Sequence, residues 1–261
     1  MRYIDAHIHL ADQNYSQIIK ELIEETKHSN VIGLIANSTN LESSQKSLYL
    51  AEKYPEFVYA ALGIHPWNTK ELEDNEVNDV TNLIINNLKH DQTLVAIGEI
   101  GLDAKYSGTG YPTEIQIEVF QKMLKLAEKT TLPAIIHSRG ATEQIMNMLP
   151  SYKIKKILLH WFSQPHSLIP TIIDRGYFIS EGPTVLYSKG IQEIIEQIPL
   201  TNLLTETDGP VRFRGPFDKR LTTPSFIPTV VETIAQLKKQ EKNVVSEQIF
   251  RNFIDFFGLK A

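Results

Sequence analysis

Short runs of β-branched and aliphatic residues alternate along the chain with longer amphipathic stretches. The short runs predict eight strands, at residues 3–7, 31–36, 58–63, 94–98, 133–137, 157–160, 177–180 and 203–206. The amphipathic stretches predict helices at residues 15–28, 41–54, 113–130, 142–149, 191–198, 224–239 and 246–257. Strands that are nearly continuous apolar runs between helices are typical of a parallel sheet covered on both faces.

The number of strand–helix units narrows the fold class. Eight units in 261 residues match a TIM-type (β/α)8 barrel, which we expect as a single domain over residues 1–261. An open doubly wound sheet is the alternative. Seven of the eight predicted strands end in, or lead directly into, a polar residue: His7, Asn37, His65, Glu99, His137, His160 and Asp208. Such ends meet on one rim of a barrel but are spread along the edge of an open sheet, so the pattern favours the barrel.

Composition excludes several classes of protein. The chain has no cysteine, which rules out disulfides, thiolate metal sites and a cysteine nucleophile and is compatible with the cytoplasm, where we expect the protein. No signal peptide is evident, and no apolar run approaches the ~20 residues of a membrane span. The net charge of −5 argues against a surface that coats nucleic acid broadly. We expect a monomer.

Histidines concentrate at the predicted strand ends. Five of the eight histidines lie there, together with the carboxylates Glu99 and Asp208. Burying so many polar groups without partners would cost roughly 1–3 kcal/mol each, and a divalent cation would satisfy them together. Imidazole and carboxylate ligands without thiolate suit Zn²⁺, Mn²⁺, Fe²⁺ or Mg²⁺. Seven donors exceed the needs of one tetrahedral ion, which indicates two ions about 3.5–4 Å apart.

Individual residues in this set suggest separate roles. Asp5, His7 and His9 share the two-residue period of a strand, so they project to one side of it, and His7 and His9 can chelate one ion. Glu99 has two oxygens and is the natural bridge between two ions. Asp208 could bind the first ion and accept a proton from a water whose pKa the metals lower towards ~7.

These motifs resemble the TatD-like metal-dependent hydrolases of the amidohydrolase superfamily over essentially the whole chain. The matching segments are DAHIHL at 5–10, GIHP at 63–66, GEIGLD at 98–103, IIHSR at 135–139, HWFS at 160–163 and ETDGP at 206–210. The resemblance implies a TIM barrel with one or two divalent metals and, for many members, DNase activity on 3′ ends. It implies one ion on His7, His9 and Asp208, another on His137 and His160, and Glu99 between them. Asp5 then has a supporting role.

The same resemblance suggests where substrate binds. His65 is a substrate contact or a histidine that packs a loop, and Arg139 grips phosphate or forms a surface salt bridge. Two departures from the family pattern stand out: Trp161, where a small residue is common, and the segment VRFRGPF at 211–217. This segment places Arg212 and Arg214 beside Asp208. Basic groups interleaved with aromatics suit a single-stranded nucleic-acid end, and the candidate aromatics are Trp67, Trp161, Phe213 and Phe217; alternatively, these rings pack loops.

Three functions follow from these observations. The leading hypothesis is metal-dependent hydrolysis of phosphodiester bonds at single-stranded DNA or RNA ends. The second is hydrolysis of the ester of D-aminoacyl-tRNA at the same metal site, an activity attributed to some relatives of the family. The third is a metal-stabilised binding protein without catalysis, which the proton acceptor at Asp208 argues against.

Overall fold

A computed structural model describes residues 1–88 and 93–260 of the chain. It divides the chain into two compact units, one formed by Met1–Ala36 with Trp161–Ala261 and the other by Asn37–His160. We refer to them as the first unit and the second unit. The expectation of a single domain over residues 1–261 stays a prediction.

All eight predicted strands are present. They are β1 Tyr3–Ile8, β2 Val31–Asn37, β3 Val58–Leu62, β4 Leu94–Gly101, β5 Ala134–His137, β6 Ile157–Leu159, β7 Phe178–Glu181 and β8 Leu203–Thr205. Their order in the sheet follows the chain from β1 to β8. A doubly wound sheet reverses its strand order at a switch point, whereas the (β/α)8 fold keeps it sequential. The prediction of a TIM-type (β/α)8 fold is therefore confirmed.

The described residues contain nine α-helices. They are α1 Ile19–His28, α2 Leu41–Lys53, α3 Glu76–Asn87, α4 Glu114–Thr130, α5 Thr142–Met148, α6 Ile169–Asp174, α7 Lys189–Gln197, α8 Ile227–Lys238 and α9 Lys242–Phe257. The polar stretch at residues 70–79 predicts a loop that leads into a helix, and α3 is that helix, whereas α6 is not among the predicted helices. The shortness of α6 weakens the periodic signal by which helices are recognised. Within the described residues, no helix is long and apolar enough to cross a membrane.

The first unit builds its core on β1. All six residues of β1 are buried, and α8 and α9 pack against it. Helix α9 contributes Ile249, Phe253 and Phe256, each at most 2% exposed. Burial of such a side chain stabilises the folded chain by about 1.5–3 kcal/mol. This packing holds the strand whose C-terminal end carries His7.

The second unit is built on β3, β4, β5 and β6, with parallel pairing from β3 through β6. Strand β4 runs three residues beyond its predicted end at residue 98, so that Glu99 lies within it. A glycine is required where β4 meets β5. Gly101 has φ +150°, and a Cβ placed on it would lie 2.0 Å from the carbonyl oxygen of His137. No other residue permits the two backbones to approach so closely.

Candidate metal centre

In the first unit, three predicted ligands come together. His7 lies on β1, His9 follows that strand, and Asp208 follows β8. The two Nε2 atoms are 3.4 Å apart, and Asp208 Oδ1 lies 3.5 Å from His7 Nε2 and 3.4 Å from His9 Nε2. His7 and Asp208 are buried, whereas the side chain of His9 is 20% exposed. Two imidazole nitrogens and one carboxylate oxygen thus converge from opposite ends of the sequence.

Hydrogen bonds tie the end of β1 to the turn after β8. Asp208 N donates to His7 O at 2.8 Å, and His9 N donates to Gly209 O at 2.8 Å. Asp5 is fully buried and accepts hydrogen bonds from His7 N, Thr207 N and Thr207 Oγ1. Burial raises the pKa of Asp5 to about 8. Asp5 therefore ties the backbone of both ligand segments together.

The backbone at Asp208 adopts a conformation that few residues accept. Its φ is +50°, in the left-handed region, which costs about 1 kcal/mol or more for a residue with a side chain. Aspartate tolerates this region better than most residues. The strain is confined to a short turn that the hydrogen bonds to β1 hold in place. It directs the carboxylate toward the two histidines.

In the second unit, three predicted site residues surround one carboxylate oxygen of a fourth, Glu99. Glu99 Oε1 lies 3.1 Å from His65 Nε2, 2.9 Å from His137 Nδ1 and 2.8 Å from His160 Nε2. His137 Nδ1 is also 3.2 Å from His65 Nε2 and 3.4 Å from His160 Nε2. All four residues are at least 91% buried. These contacts bring His65 into the ligand cluster rather than leaving it apart.

The donor atoms of this cluster fit a divalent cation. An unprotonated imidazole nitrogen and a carboxylate oxygen are both hydrogen-bond acceptors. Where such groups face one another, a proton on one of the groups or a cation between them is needed. Nitrogen and oxygen donors without sulfur suit Zn²⁺, Mn²⁺ or Mg²⁺. The three-residue set of His65, Glu99 and His137 has ligand atoms within 4.8 Å of one another. The chemistry that the sequence predicts is therefore matched by the positions of these side chains.

Asp103 determines which nitrogen of His137 faces the cluster. Asp103 is fully buried, and its Oδ2 lies 2.9 Å from His137 Nε2 and accepts a hydrogen bond from Trp67 Nε1 at 2.6 Å. Oδ1 accepts from the backbone N–H groups of Lys105 and Tyr106. A carboxylate at Nε2 keeps the proton there and leaves the lone pair of Nδ1 for a metal. Asp103 both ties the loop and orients the histidine.

The pKa values of this pair reflect the same contacts. Burial by itself raises the pKa of Asp103, but hydrogen bonds from His137, Trp67 and the Tyr106 backbone outweigh it and leave the pKa below its usual range. Burial lowers the pKa of His137, yet its hydrogen bonds to Asp103 and Glu99 raise the pKa above the ordinary value of 6.5. Asp103 is therefore a carboxylate acceptor at neutral pH.

Sequence reasoning missed the role of Trp67. The sequence predicts a rim aromatic, and the side chain is exposed, but its indole N–H also donates to Asp103, 36 residues further along the chain. Indole is a donor-only group and needs an acceptor when it is partly buried. That requirement indicates that a partner exists, but no local pattern identifies it.

The predicted substrate contacts differ in exposure. The Arg139 side chain is 57% exposed, and its Nη1 lies 3.9 Å from Asp103 Oδ2. In the first unit, Arg212 and Arg214 are exposed, whereas Phe213 and Phe217 are buried. These two phenylalanines pack with Phe226, and Trp161 packs against them. Of the two alternatives for Phe213 and Phe217, stacking on bases and packing of a loop, the structure shows loop packing, because both rings are buried.

The fold and the two histidine–carboxylate clusters define a metal-dependent hydrolase of the (β/α)8 class. The family model for TatD related DNase matches residues 4–258, so the chain belongs to the TatD-related DNase family. Human deoxyribonuclease TATDN3 is 33% identical to it, over 97% of this chain and 94% of the human protein. A metal-dependent hydrolase of Methanocaldococcus jannaschii, MJ1582, is 32% identical over 98% and 97% of the two chains.

Solved structures show the same fold. The crystal structure of YJJV, a TatD homologue from Escherichia coli K12, superposes with a TM-score of 0.91 and 26% sequence identity, covering 99% of each chain. A TatD family hydrolase from Entamoeba histolytica superposes with a TM-score of 0.84 at 21% identity, over 98% of each chain.

Proposed function

We propose that this hydrolase cleaves phosphodiester bonds at the ends of DNA. The observation that carries the proposal is the convergence of three imidazole nitrogens on Glu99 Oε1, all within 3.1 Å. Membership of the TatD-related DNase family and similarity to a human deoxyribonuclease support the choice of a phosphodiester bond.

We propose two divalent ions as cofactors. His7, His9 and Asp208 would hold one ion, and Glu99, His137 and His160 would hold the other. When bound, divalent ions polarise a phosphoryl oxygen and lower the pKa of a coordinated water. Asp208 would accept the proton of the attacking water, because its carboxylate lies among the ligands of the first cluster. Asp103 holds the proton of His137 at Nε2, away from the ligand atom Nδ1.

Exposed cationic side chains of each unit would contact the substrate. Arg139, Arg212 and Arg214 present exposed guanidinium groups, which bind phosphate oxygens in pairs. Arg212 and Arg214 alternate with the buried Phe213, so the loop backbone is fixed while its charges face solvent. His65 is 3.1 Å from Glu99 Oε1 and would contact substrate from within the second cluster.

An assay with end-labelled single-stranded DNA tests the proposal. Metal-free protein should be inactive, and Mg²⁺, Mn²⁺ or Zn²⁺ should restore stepwise shortening of the strand. His137→Ala and Asp208→Ala should each lose at least about 100-fold in kcat. His28→Ala is the matched control, because His28 is an exposed histidine of α1. Wild-type activity in both cluster variants, or no metal-dependent cleavage, would refute the proposal.

The same experiment separates the other candidate functions. Cleavage of RNA compared with cleavage of DNA shows whether the protein prefers ribose or deoxyribose. D-aminoacyl-tRNA that releases its amino acid without loss of nucleotides would instead identify an ester hydrolase. Stoichiometric metal without turnover on any of these substrates would indicate a binding protein. Metal content of the purified protein, measured in parallel, gives the number of ions.

A further inference from the structure

Two aromatic rings of the second unit lie exposed beside the histidine–carboxylate cluster. Trp67 is 42% exposed and Tyr106 is 38% exposed. Their ring centroids are 5.5 Å apart with an interplanar angle of 26°, so the rings are stacked. Trp67 also meets His65 edge to face, with centroids 4.9 Å apart. The stacked pair therefore contacts His65 of the cluster and is also exposed to solvent.

Both rings are held in place by the residue that orients His137. Trp67 Nε1 donates to Asp103 Oδ2, and the backbone N–H of Tyr106 donates to Asp103 Oδ1 at 2.8 Å. Trp67 belongs to a short 3-10 helix, Pro66–Lys70, which further restricts its backbone. Rigid aromatic side chains lose little conformational freedom when a ligand binds to them. An exposed pair that is fixed in this way is prepared for contact rather than packed into the core.

Cations accompany the aromatic pair. Lys70 Nζ lies 4.5 Å from the centroid of the Tyr106 ring. Arg139 lies beside Asp103, with Nη1 3.9 Å from Asp103 Oδ2 and a side chain that is 57% exposed. A cation on an exposed ring is weakly held and can exchange that ring for a phosphate. Aromatic faces for bases, with cations for the backbone, are the combination by which proteins bind single-stranded nucleic acid.

We infer that Trp67 and Tyr106 form a stacking platform for a nucleobase of a single-stranded DNA end, with Lys70 and Arg139 contacting its phosphates. This inference rests on the proposed function, because it identifies how that substrate is held at the same site. The platform replaces Phe213 and Phe217 as the aromatic contact, since those rings are buried. It also recognises bases without regard to sequence, because every base offers a π-face.

Binding of a non-cleavable oligonucleotide tests the platform without turnover. A short single-stranded phosphorothioate DNA is titrated into the metal-loaded protein, and affinity is measured by fluorescence anisotropy. Tyr106→Ala should weaken binding about tenfold or more. Tyr49→Ala is the matched control, because Tyr49 is an exposed tyrosine of the same unit with a lysine 5.6 Å from its ring. It should leave the affinity unchanged within about twofold.

Two further measurements identify stacking as the cause. The chain has two tryptophans, so a Trp161→Phe protein reports on Trp67 alone, and saturating oligonucleotide should quench its fluorescence. An oligonucleotide of the same length with abasic end nucleotides should bind the wild type as weakly as intact DNA binds Tyr106→Ala. Metal content should be equal in all variants, which separates loss of the platform from loss of the cluster.

The outcomes separate this inference from the proposed function. Equal affinity of Tyr106→Ala and Tyr49→Ala, equal affinity for intact and abasic DNA, or unchanged Trp67 fluorescence would each overturn the platform. A protein that hydrolyses DNA and gives those results retains its proposed function without the platform. A protein that binds DNA through Tyr106 but does not hydrolyse it retains the platform and loses the proposed function.

Discussion

Replacement of Asp103 by asparagine should disable His137 as a metal ligand while preserving its position. Asp103 Oδ1 accepts two backbone N–H groups, at 2.9 Å from Lys105 N and 2.8 Å from Tyr106 N. The carbonyl oxygen of an asparagine must keep that position, so its NH₂ group replaces Oδ2. A donor then faces His137 Nε2. The histidine must accept there, which moves its proton to Nδ1, the atom 2.9 Å from Glu99 Oε1.

The size of the effect follows from the lost tautomer. Removal of the acceptor behind a metal-bound histidine weakens metal affinity about 10- to 100-fold, equivalent to about 1.4–2.7 kcal/mol. Asp103→Asn also places its amide against the indole N–H of Trp67, which now points at a donor. In Asp103→Ala, residue 103 offers neither a donor nor an acceptor to His137 Nε2, so the histidine can keep its proton on Nε2. We expect Asp103→Asn to bind metal more weakly than Asp103→Ala.

Metal affinity is measured by competition with a chelator, and the tautomer by ¹⁵N chemical shifts of the imidazole. Arg139→Ala is the control, because it removes a neighbour of Asp103 at 3.9 Å without changing what faces His137. An Asp103→Asn protein with wild-type metal affinity, or with its His137 proton still at Nε2, would refute the tautomer argument. A loss of affinity in Asp103→Ala that exceeds the loss in Asp103→Asn would refute it as well.

Three further predictions test the fold and the site. Gly101→Ala should lower the free energy of unfolding by more than about 3 kcal/mol in urea titrations, because its Cβ would lie 2.0 Å from a carbonyl oxygen; Gly110→Ala, at φ +81° in open space, should cost only about 1 kcal/mol. Phe217→Ala should cost about 3–5 kcal/mol in thermal unfolding, since the ring is buried and stacks on Phe226 at 3.9 Å. As the pH is lowered, metal affinity should already begin to fall while the pH is above 6.5, because the carboxylate partners of His137 raise its pKa against the effect of burial and protons compete with metal for the imidazole. In metal-free protein the raised pKa of His137 stabilises the folded state below pH 6.5, and this stabilisation is lost as the pH rises through the raised pKa. Urea titrations across pH measure it.

The sequence by itself was sufficient for the fold class and for the set of candidate ligands. Apolar runs and amphipathic stretches are local signals, and the eight predicted strands agree with the observed ones to within three residues at each end. The parity of His7 with Asp5 also follows from the strand period alone. A short helix such as α6 carries a weak local signal, and it is the helix that the pattern does not resolve.

The tertiary structure decided which side chains support the ligands and which face solvent. Asp103 joins Trp67 and His137 across separations of 36 and 34 residues, and no local period encodes such a contact. The alternation of phenylalanine with arginine at residues 212–217 is equally consistent with rings that stack on bases and rings that anchor a loop. Packing against Phe226, nine residues beyond Phe217, shows that the rings anchor the loop. Periodicity reports which face of an element is apolar, whereas the partner of a side chain depends on chain segments that meet only in the folded state.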